Sequence, residues 1–151
     1  MKEKKSSEDD PTIEFQDYLD ESQLDAVMQL VTKDLSEPYS IDDGKPIGCV
    51  VCKIDQEEAI QNGEQRMMKT GYIGMLAVQS SYRRRGIGKS LVRKVLERMK
   101  AMKCESVMLE TEMSNVTAQK LYQRSFGFIR EEKLVRYYLN WGDAYRLRLW
   151  F

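Results

Sequence analysis

The sequence contains no histidine among its 151 residues. This absence excludes serine–histidine and cysteine–histidine catalytic pairs, and it removes the most common general base and metal ligand of proteins. Any catalysis by this chain must therefore use carboxylates, tyrosines, main-chain groups or a cofactor.

The sequence also lacks an excess of charge and a long apolar run. Lys plus Arg and Asp plus Glu number 24 each, so the net charge is zero and no general attraction to nucleic acid or membrane is expected. No apolar run is long enough to span a bilayer, and the first five residues are polar rather than a signal sequence. Three cysteines without an export signal predict a reducing compartment, the cytosol.

Two of the cysteines, Cys49 and Cys52, form a C-x-x-C pattern inside an apolar run that predicts a buried strand. Side chains three positions apart on a strand point to opposite faces, and the remaining cysteine, Cys104, is distant in sequence. The pattern therefore fits a metal or redox site poorly.

The apolar periodicity predicts a single α/β domain at 11–151, preceded by a disordered tail at 1–10. Strands are predicted at 12–18, 47–54, 71–78, 106–111, 134–139 and 144–151, with a turn at 140–143 between the last two. Helices are predicted at 22–33, at 86–103 and from about 114. Helices that connect strands indicate a mixed sheet with helices on its faces.

A basic, glycine-containing loop connects the strand that ends at Val78 to the next helix. The loop contains Arg83, Arg84, Arg85, Gly86 and Gly88. A helix start offers free amides and a positive dipole end to a phosphate, and glycine allows close approach of the main chain. The same pattern also fits a solvated basic turn, or a short nuclear-import or RNA-contact patch.

A second segment carries polar groups at the end of another strand. Glu110 lies in the strand, and Asn115, Ala118 and Tyr122 follow at helical spacing on one side of a helix. These residues could line a cleft. Alternatively, Asn115 is a helix cap and Tyr122 is a core aromatic residue.

Together the two segments resemble the motifs of the Gcn5-related N-acetyltransferase (GNAT) family. The family's cofactor motif, Arg/Gln-x-x-Gly-x-Gly/Ala, matches the run from Arg83 to Gly88. Its second motif, Asn-x-x-Ala-x-x-x-Tyr followed by Gly-Phe, matches Asn115, Ala118, Tyr122 and Gly127-Phe128. The resemblance implies acetyl-CoA as the cofactor, and a mixed, mostly antiparallel central sheet with helices on both faces.

Four further runs resemble the catalytic-subunit family of N-terminal acetyltransferase C (NatC): 35–41, 71–78, 109–112 and 136–140. That family acetylates the α-amine of nascent proteins that begin with Met followed by a bulky apolar residue. The resemblance implies the nascent N-terminus as substrate, and auxiliary subunits and the ribosome as partners, without direct contact to nucleic acid or membrane.

The resemblance also implies a role for individual residues. Glu110 matches a general base that acts through water, and Tyr122 matches the general acid for the departing thiolate. The acetyl carbonyl would lie near the main chain of Leu76 to Val78. The matched cofactor positions are Leu76, Ala77, Val78, Arg83, Arg84, Arg85, Gly86, Ile87, Gly88 and Asn115. The matched substrate-peptide positions are Glu37, Tyr39, Tyr72, Tyr137 and Tyr138.

The sequence departs from the family pattern at two places. After Ile41 it runs directly to Pro46, so it lacks the usual second helix, which forms one wall of the peptide cleft, and the usual second strand. One extra residue lies between Tyr122 and Gly127, and we expect a wider turn to absorb it.

Other functions compete with N-terminal acetyl transfer. The shortened cleft favours a degenerate paralogue that binds CoA or a partner subunit without catalysis. Acetylation of a small amine or an internal lysine fits the cofactor motif equally well. A nucleic-acid-binding module is the weakest alternative, because the basic cluster is short and the net charge is zero.

Overall fold

The computed structural model describes residues 47–135 and 142–151. Several predictions lie outside these residues: the tail, the first strand and helix, and the departure after Ile41. The predicted peptide-binding positions Glu37, Tyr39, Tyr137 and Tyr138 lie outside them as well.

The described part of the chain contains five strands and two α-helices. The strands are β1 (Gly48–Gln61), β2 (Glu64–Val78), β3 (Ser106–Glu112), β4 (Ile129–Leu134) and β5 (Ala144–Trp150). The helices are α1 (Ile87–Ala101) and α2 (Val116–Lys120); a π-helical turn, Leu121–Ser125, continues α2, and a short 3-10 turn, Ser80–Tyr82, precedes α1. Helix α1 is amphipathic as predicted, since Ile87, Val95 and Met99 are buried whereas Lys94, Glu97 and Lys100 are exposed.

The strands form one sheet in the order β1-β2-β3-β5-β4. β2 and β3 are parallel, with Gly71 opposite Val107, whereas β5 is antiparallel to both β3 and β4. A register shift between Arg130 and Glu132 interrupts the β4–β5 pairing. The mixed sheet that the sequence predicted is therefore confirmed.

The first two strands are longer than predicted, because a two-residue turn joins them as a hairpin. Asn62 and Gly63 both have positive φ angles, 54° and 79°. Such a turn matches the twist of the two flanking strands, so pairing extends to its edges. The C-x-x-C run lies on a strand as predicted, but the prediction that it is buried was wrong: Cys49 is half-buried and Cys52 is exposed. Among the described strands, β1 is at one end of the sheet.

The sequence did not predict the strand that pairs with β5. β4 occupies Ile129–Leu134, whereas most of the predicted strand at 134–139 lies outside the described residues. Most residues of β4 are charged and exposed, so its sequence lacks the alternation that marks a half-buried strand. An outer strand with charged side chains is common at the edge of a sheet, where such residues discourage further pairing.

The chain divides into two compact units. One unit contains residues 47–51 and Met75–Lys94, and the other contains Cys52–Gly74 and the described residues of Val95–Phe151. In the second unit Gly71 makes room for Met99, because a Cβ on Gly71 would lie 2.3 Å from the Met99 sulfur. Val107 and Leu147 are fully buried in the core of this unit.

Candidate functional site

The loop that follows β2 is fixed by contacts within its own unit. The Gln79 N–H donates a hydrogen bond to the Ile47 carbonyl at 2.7 Å. Arg83 Nε donates to the Val78 carbonyl at 3.1 Å, and the Arg85 guanidinium lies 5.0 Å from the centre of the Tyr82 ring. Two of the three predicted cofactor arginines therefore contact the loop itself.

The helix start after this loop has the geometry of an anion site. Arg84 and Gly86 both adopt the left-handed region, with φ angles of 64° and 78°. The Ser90 N–H donates to the Gly86 carbonyl at 3.0 Å, so the amides from Ile87 to Lys89 precede any acceptor within the helix. The first turn of α1 carries no acidic residue. These amides and the positive end of the helix dipole suit a phosphate.

Gly88 brings the helix start against the end of β2. A Cβ on Gly88 would lie 3.6 Å from Leu76 Cδ2 and 3.7 Å from Val78 Cγ2. These are ordinary contact distances, so the helix and the strand are already closely packed. The structure thus brings together the predicted cofactor positions at the end of β2 and at the start of α1.

In the second unit, the predicted base Glu110 is held by two side chains. The Tyr72 hydroxyl donates a hydrogen bond to Glu110 Oε2. Arg146 Nη2 lies 3.7 Å from Glu110 Oε1, and the Glu110 side chain is only 7% exposed. Tyr72 was predicted to contact the substrate peptide, and the structure places its hydroxyl on the carboxylate of Glu110 instead of in open solvent.

The contacts of Glu110 belong to a line of side chains that crosses all five strands. Arg146 Nη1 lies 3.0 Å from Glu132 Oε2, and Lys53 Nζ lies 5.4 Å from the centre of the Tyr72 ring. We call this line the charged row; it comprises Lys53, Tyr72, Glu110, Arg146 and Glu132. Sequence analysis missed Lys53, Arg146 and Glu132, because only the register of the strands brings them beside Glu110 and Tyr72.

A second polar cluster surrounds Arg148, two residues further along β5 than Arg146. Arg148 Nε donates to both oxygens of Glu131 at 2.9 and 3.1 Å, and Nη1 donates to Glu57 at 3.1 Å and to the Ser106 hydroxyl at 2.9 Å. Burial acts to lower the pKa of the Arg148 guanidinium, but the hydrogen bonds to Glu57 and Glu131 outweigh it and raise the pKa. The cluster links four strands of the sheet.

The predicted acid, Tyr122, lies in the π-helical turn and is buried. Burial raises the pKa of its hydroxyl to about 12, so the group is protonated at neutral pH. Its ring makes an edge contact with Phe128, and its carbonyl accepts a hydrogen bond from the Phe128 N–H at 3.0 Å. A π-helical turn accommodates one residue more than an α-helical turn, so the expected wider turn is present before Gly127.

Asn115 caps helix α2, since its Oδ1 accepts a hydrogen bond from the Ala118 N–H at 3.1 Å. The simpler interpretations of this segment, a helix cap and a buried aromatic residue, therefore describe the geometry of Asn115 and Tyr122. Neither observation conflicts with a role toward a ligand, and the cofactor role of Asn115 stays a prediction.

Among the described residues no cluster of Cys, Asp and Glu has the arrangement of a metal site. Cys49, Cys52 and Cys104 are free thiols, and loss of solvent around the sulfur raises the pKa of each, only partly for the exposed Cys52. Within 47–135 and 142–151, no helix has the length and apolar character needed to cross a membrane.

Comparison with protein families settles what the two segments have in common. The family described as "Acetyltransferase (GNAT) family" matches residues 4–128. The chain belongs to this family. The five-stranded mixed sheet with its helices is accordingly a GNAT fold, as the two motifs predicted.

Two relatives show where in the family the chain lies. N-alpha-acetyltransferase 30 of Xenopus laevis is 42% identical over 161 positions, covering 95% of this chain and 56% of the relative. The protein of the same name in Saccharomyces cerevisiae is 40% identical over 156 positions, covering 88% of this chain and 84% of the relative. The chain thus spans little more than half of the Xenopus relative. Both alignments are longer than the chain's 151 residues, so these relatives carry residues that the chain lacks.

A solved structure agrees with this placement. The crystal structure of the NatC complex bound to Gag peptide and CoA contains a chain that is 39% identical to this one, with a TM-score of 0.72. The match covers 87% of this chain and 92% of the other. The resemblance to the catalytic subunit of NatC, inferred from four sequence runs, is therefore confirmed.

Proposed function

We propose that this protein transfers the acetyl group of acetyl-CoA to the α-amine of protein N-termini. The observation that carries the proposal is the pair of motif segments in a GNAT chain related to N-alpha-acetyltransferase 30: a glycine-containing helix start at Gly86–Gly88, and a largely buried carboxylate at Glu110. The related NatC structure holds a peptide and CoA, which supports both the substrate class and the cofactor.

The loop before α1 would hold the pyrophosphate of the cofactor. The amides of Ile87, Gly88 and Lys89 and the dipole of the helix stabilise negative charge at this point. Arg83 contacts Val78 and Arg85 contacts Tyr82, whereas Arg84 makes no such side-chain contact within the described residues. The main chain of Leu76 to Val78 would lie along the acetyl end of the cofactor, and its polar groups would orient the thioester carbonyl.

Glu110 would remove the proton of the substrate amine through a water molecule. An α-amine has a reference pKa of about 7.7–8.0, against about 10.4 for lysine, so a useful fraction is neutral near pH 7. The neutral nitrogen attacks the thioester carbon and a C–N bond forms. The proton that the nitrogen loses passes to water and then to Glu110, while the C–S bond breaks and the thiolate of CoA departs.

Tyr122 would stabilise that departing thiolate. Because burial raises its pKa to about 12, its hydroxyl is protonated under working conditions and can donate to sulfur. A cysteine-like thiol has a reference pKa of about 8.5, so full proton transfer from Tyr122 is unfavourable. We therefore propose a hydrogen bond to the developing thiolate, with solvent as the final proton source.

The relatives also suggest a substrate preference and a setting. We propose Met followed by a bulky apolar residue as the preferred N-terminus, auxiliary subunits and the ribosome as partners, and the cytosol as the compartment. The related chain was crystallised in a complex, which supports the need for partner subunits. The three free thiols agree with a reducing compartment.

The test is steady-state acetylation of a short Met-Leu peptide, with a Ser-starting peptide and an N-blocked lysine peptide as controls. We expect turnover of the Met-Leu peptide to exceed that of both controls. Equal turnover of the lysine peptide would favour the internal-lysine alternative. CoA binding without turnover of any peptide would replace this proposal with the degenerate paralogue, which the residues missing relative to the longer relatives would explain.

A further inference from the structure

Arg146 lies between two carboxylates on neighbouring strands. Its Cα is paired with that of Glu110 on β3 and with that of Glu132 on β4. Its two terminal nitrogens divide between these partners: Nη1 lies 3.0 Å from Glu132 Oε2, and Nη2 lies 3.7 Å from Glu110 Oε1. One guanidinium thus links the predicted base to a surface carboxylate that is 54% exposed.

The two oxygens of Glu110 have different partners. Oε2 accepts the hydrogen bond of the Tyr72 hydroxyl, and Oε1 faces Arg146. Since the Glu110 side chain is only 7% exposed, water can replace neither partner well. Loss of Arg146 would remove the cation that faces Oε1 in the described part of the chain, so of these two contacts the carboxylate would keep the Tyr72 hydrogen bond alone.

The neighbouring Arg148 shows what a purely structural arginine looks like in this sheet. All three of its nitrogens contact acceptors: Glu131, Glu57, Ser106 and the sulfur of Met108. Arg146 differs, because its buried Nε has no hydrogen-bond partner in the described part of the chain. Its contact with Glu110, at 3.7 Å, is also longer than its contact with Glu132, at 3.0 Å.

We propose that Arg146 is a positioning residue for Glu110, and that Glu132 anchors Arg146 on its other side. Glu132 fixes the guanidinium, the guanidinium orients the Glu110 carboxylate, and Tyr72 holds the second oxygen. The inference rests on the proposed role of Glu110 as the base. It adds a specific requirement: productive orientation of Glu110 depends on Arg146.

The kinetic test compares R146Q, R146K and E132Q with the wild type. We expect R146Q to lower kcat by about 10- to 100-fold, because a small displacement of a catalytic group has effects of this size. The KM for acetyl-CoA should change by less than about twofold, since Arg146 acts only on Glu110. R146K, which keeps the charge, should recover part of kcat, and E132Q should lower kcat less than R146Q does.

R66Q is the matched control for this series. Arg66 makes a bidentate ion pair with Glu105 and has no recorded contact with the charged row in the described residues. We expect kcat of R66Q to equal that of the wild type. In an E110Q background, R146Q should cause no further loss, because its effect passes through Glu110. If R146Q lowered kcat in the E110Q background by the same factor as in the wild type, the inference would be overturned. An unchanged kcat in R146Q alone would overturn it as well.

A structural readout separates this inference from the proposed function. Crystal structures of the wild type and R146Q report the orientation of Glu110 whether or not the protein turns over a peptide. In the wild type we expect Glu110 to accept the hydrogen bond of Tyr72. In R146Q we expect Glu110 to lose this hydrogen bond or to adopt several rotamers. A Glu110 that keeps its single orientation in R146Q contradicts the positioning role. An inactive wild type with the expected structural change overturns only the proposed enzymatic function. R146K and E132Q serve if R146Q fails to fold.

Discussion

The hydroxyl of Tyr72 donates a hydrogen bond to the carboxylate of Glu110, across the parallel pair of β2 and β3. In the register of these strands Tyr72 is opposite Met108, so Glu110 lies two residues further along β3, on the same face. A long aromatic side chain spans this diagonal distance. Sequence analysis predicted peptide contact for Tyr72 and proton abstraction for Glu110. In the structure the first of these residues donates a hydrogen bond to the carboxylate of the second.

Tyr122→Phe should lower kcat by about 100-fold while leaving the affinity for acetyl-CoA within about twofold. The substitution removes only a hydroxyl and keeps the edge contact with Phe128. Steady-state kinetics with a Met-Leu peptide gives kcat, and calorimetric titration gives the affinity for CoA. Equal activity of the variant would eliminate Tyr122 as the donor to the departing thiolate.

The stability of the protein should depend on the ionisation of Tyr122 at alkaline pH. Burial raises the pKa of Tyr122 from 10.0 to about 12, so above pH 10 the unfolded state releases a proton that the folded state keeps. The stability that this proton contributes is complete below about pH 10 and is lost between about pH 10 and 12. Two pKa units correspond to roughly 2–3 kcal/mol.

Tyr122→Phe removes this dependence and serves as its reference. Urea unfolding of both proteins between pH 8 and pH 11.5 gives the difference between their free energies of unfolding. We expect the free energy of unfolding of the wild type to fall relative to that of the variant as the pH rises above 10. A difference that is constant over this range would mean that Tyr122 ionises equally easily in the folded and unfolded chains.

Gly86→Ala should weaken CoA binding by about 10-fold, which corresponds to about 1.4 kcal/mol. The φ angle of Gly86 is 78°, a conformation that strains any residue with a Cβ by about 1–2 kcal/mol. Relief of this strain would turn the amides at the start of α1 away from a bound phosphate. Calorimetric titration with CoA measures the change.

Gly63→Ala is the matched control, because Gly63 has a similar φ angle of 79° in the hairpin turn and, apart from its chain neighbours, no described residue lies within 4 Å of its added Cβ. We expect a similar loss of stability in the two variants, and unchanged CoA affinity only in Gly63→Ala. Equal affinities in both variants would refute the assignment of the loop as the pyrophosphate site.

Arg148→Met should destabilise the fold by about 2–4 kcal/mol. The Arg148 side chain is 8% exposed, and its removal leaves Glu57 and Glu131 without their shared cation. Chemical denaturation at pH 7 measures the loss, and kinetics should show a smaller effect on kcat than R146Q produces. A variant as stable as the wild type would show that the cluster contributes specificity of pairing rather than stability.

The cofactor loop was predictable because its parts are contiguous in the sequence. The end of β2, the arginines and the two glycines lie within 13 residues of one another, from Leu76 to Gly88. The geometry of such a segment follows from local rules: a strand ends, a left-handed glycine turns the chain, and a helix begins with free amides. The structure accordingly confirmed the end of the strand at Val78, and it begins the helix at Ile87, one residue after the predicted start.

The boundary errors have a related cause. β4 was not predicted, because its charged residues show no apolar alternation. The end of β1 was predicted at 54 instead of Gln61, because the later residues of this strand are polar. Both segments become strands through pairing with a neighbour and through ion pairs such as Glu132–Arg146. A pattern that depends on a partner strand is not visible in either strand alone.

The sequence by itself determined the family, the two motif segments and the identity of Glu110 and Tyr122 as candidate reactive groups, since short motifs and helical spacing are local properties. Only the tertiary structure decided that Tyr72 and Arg146 hold Glu110, that Arg148 links four strands, and that burial raises the pKa of Tyr122. These contacts join residues up to 91 positions apart, as between Glu57 and Arg148. Strand register and burial, which arise only when the whole sheet assembles, bring such residues together.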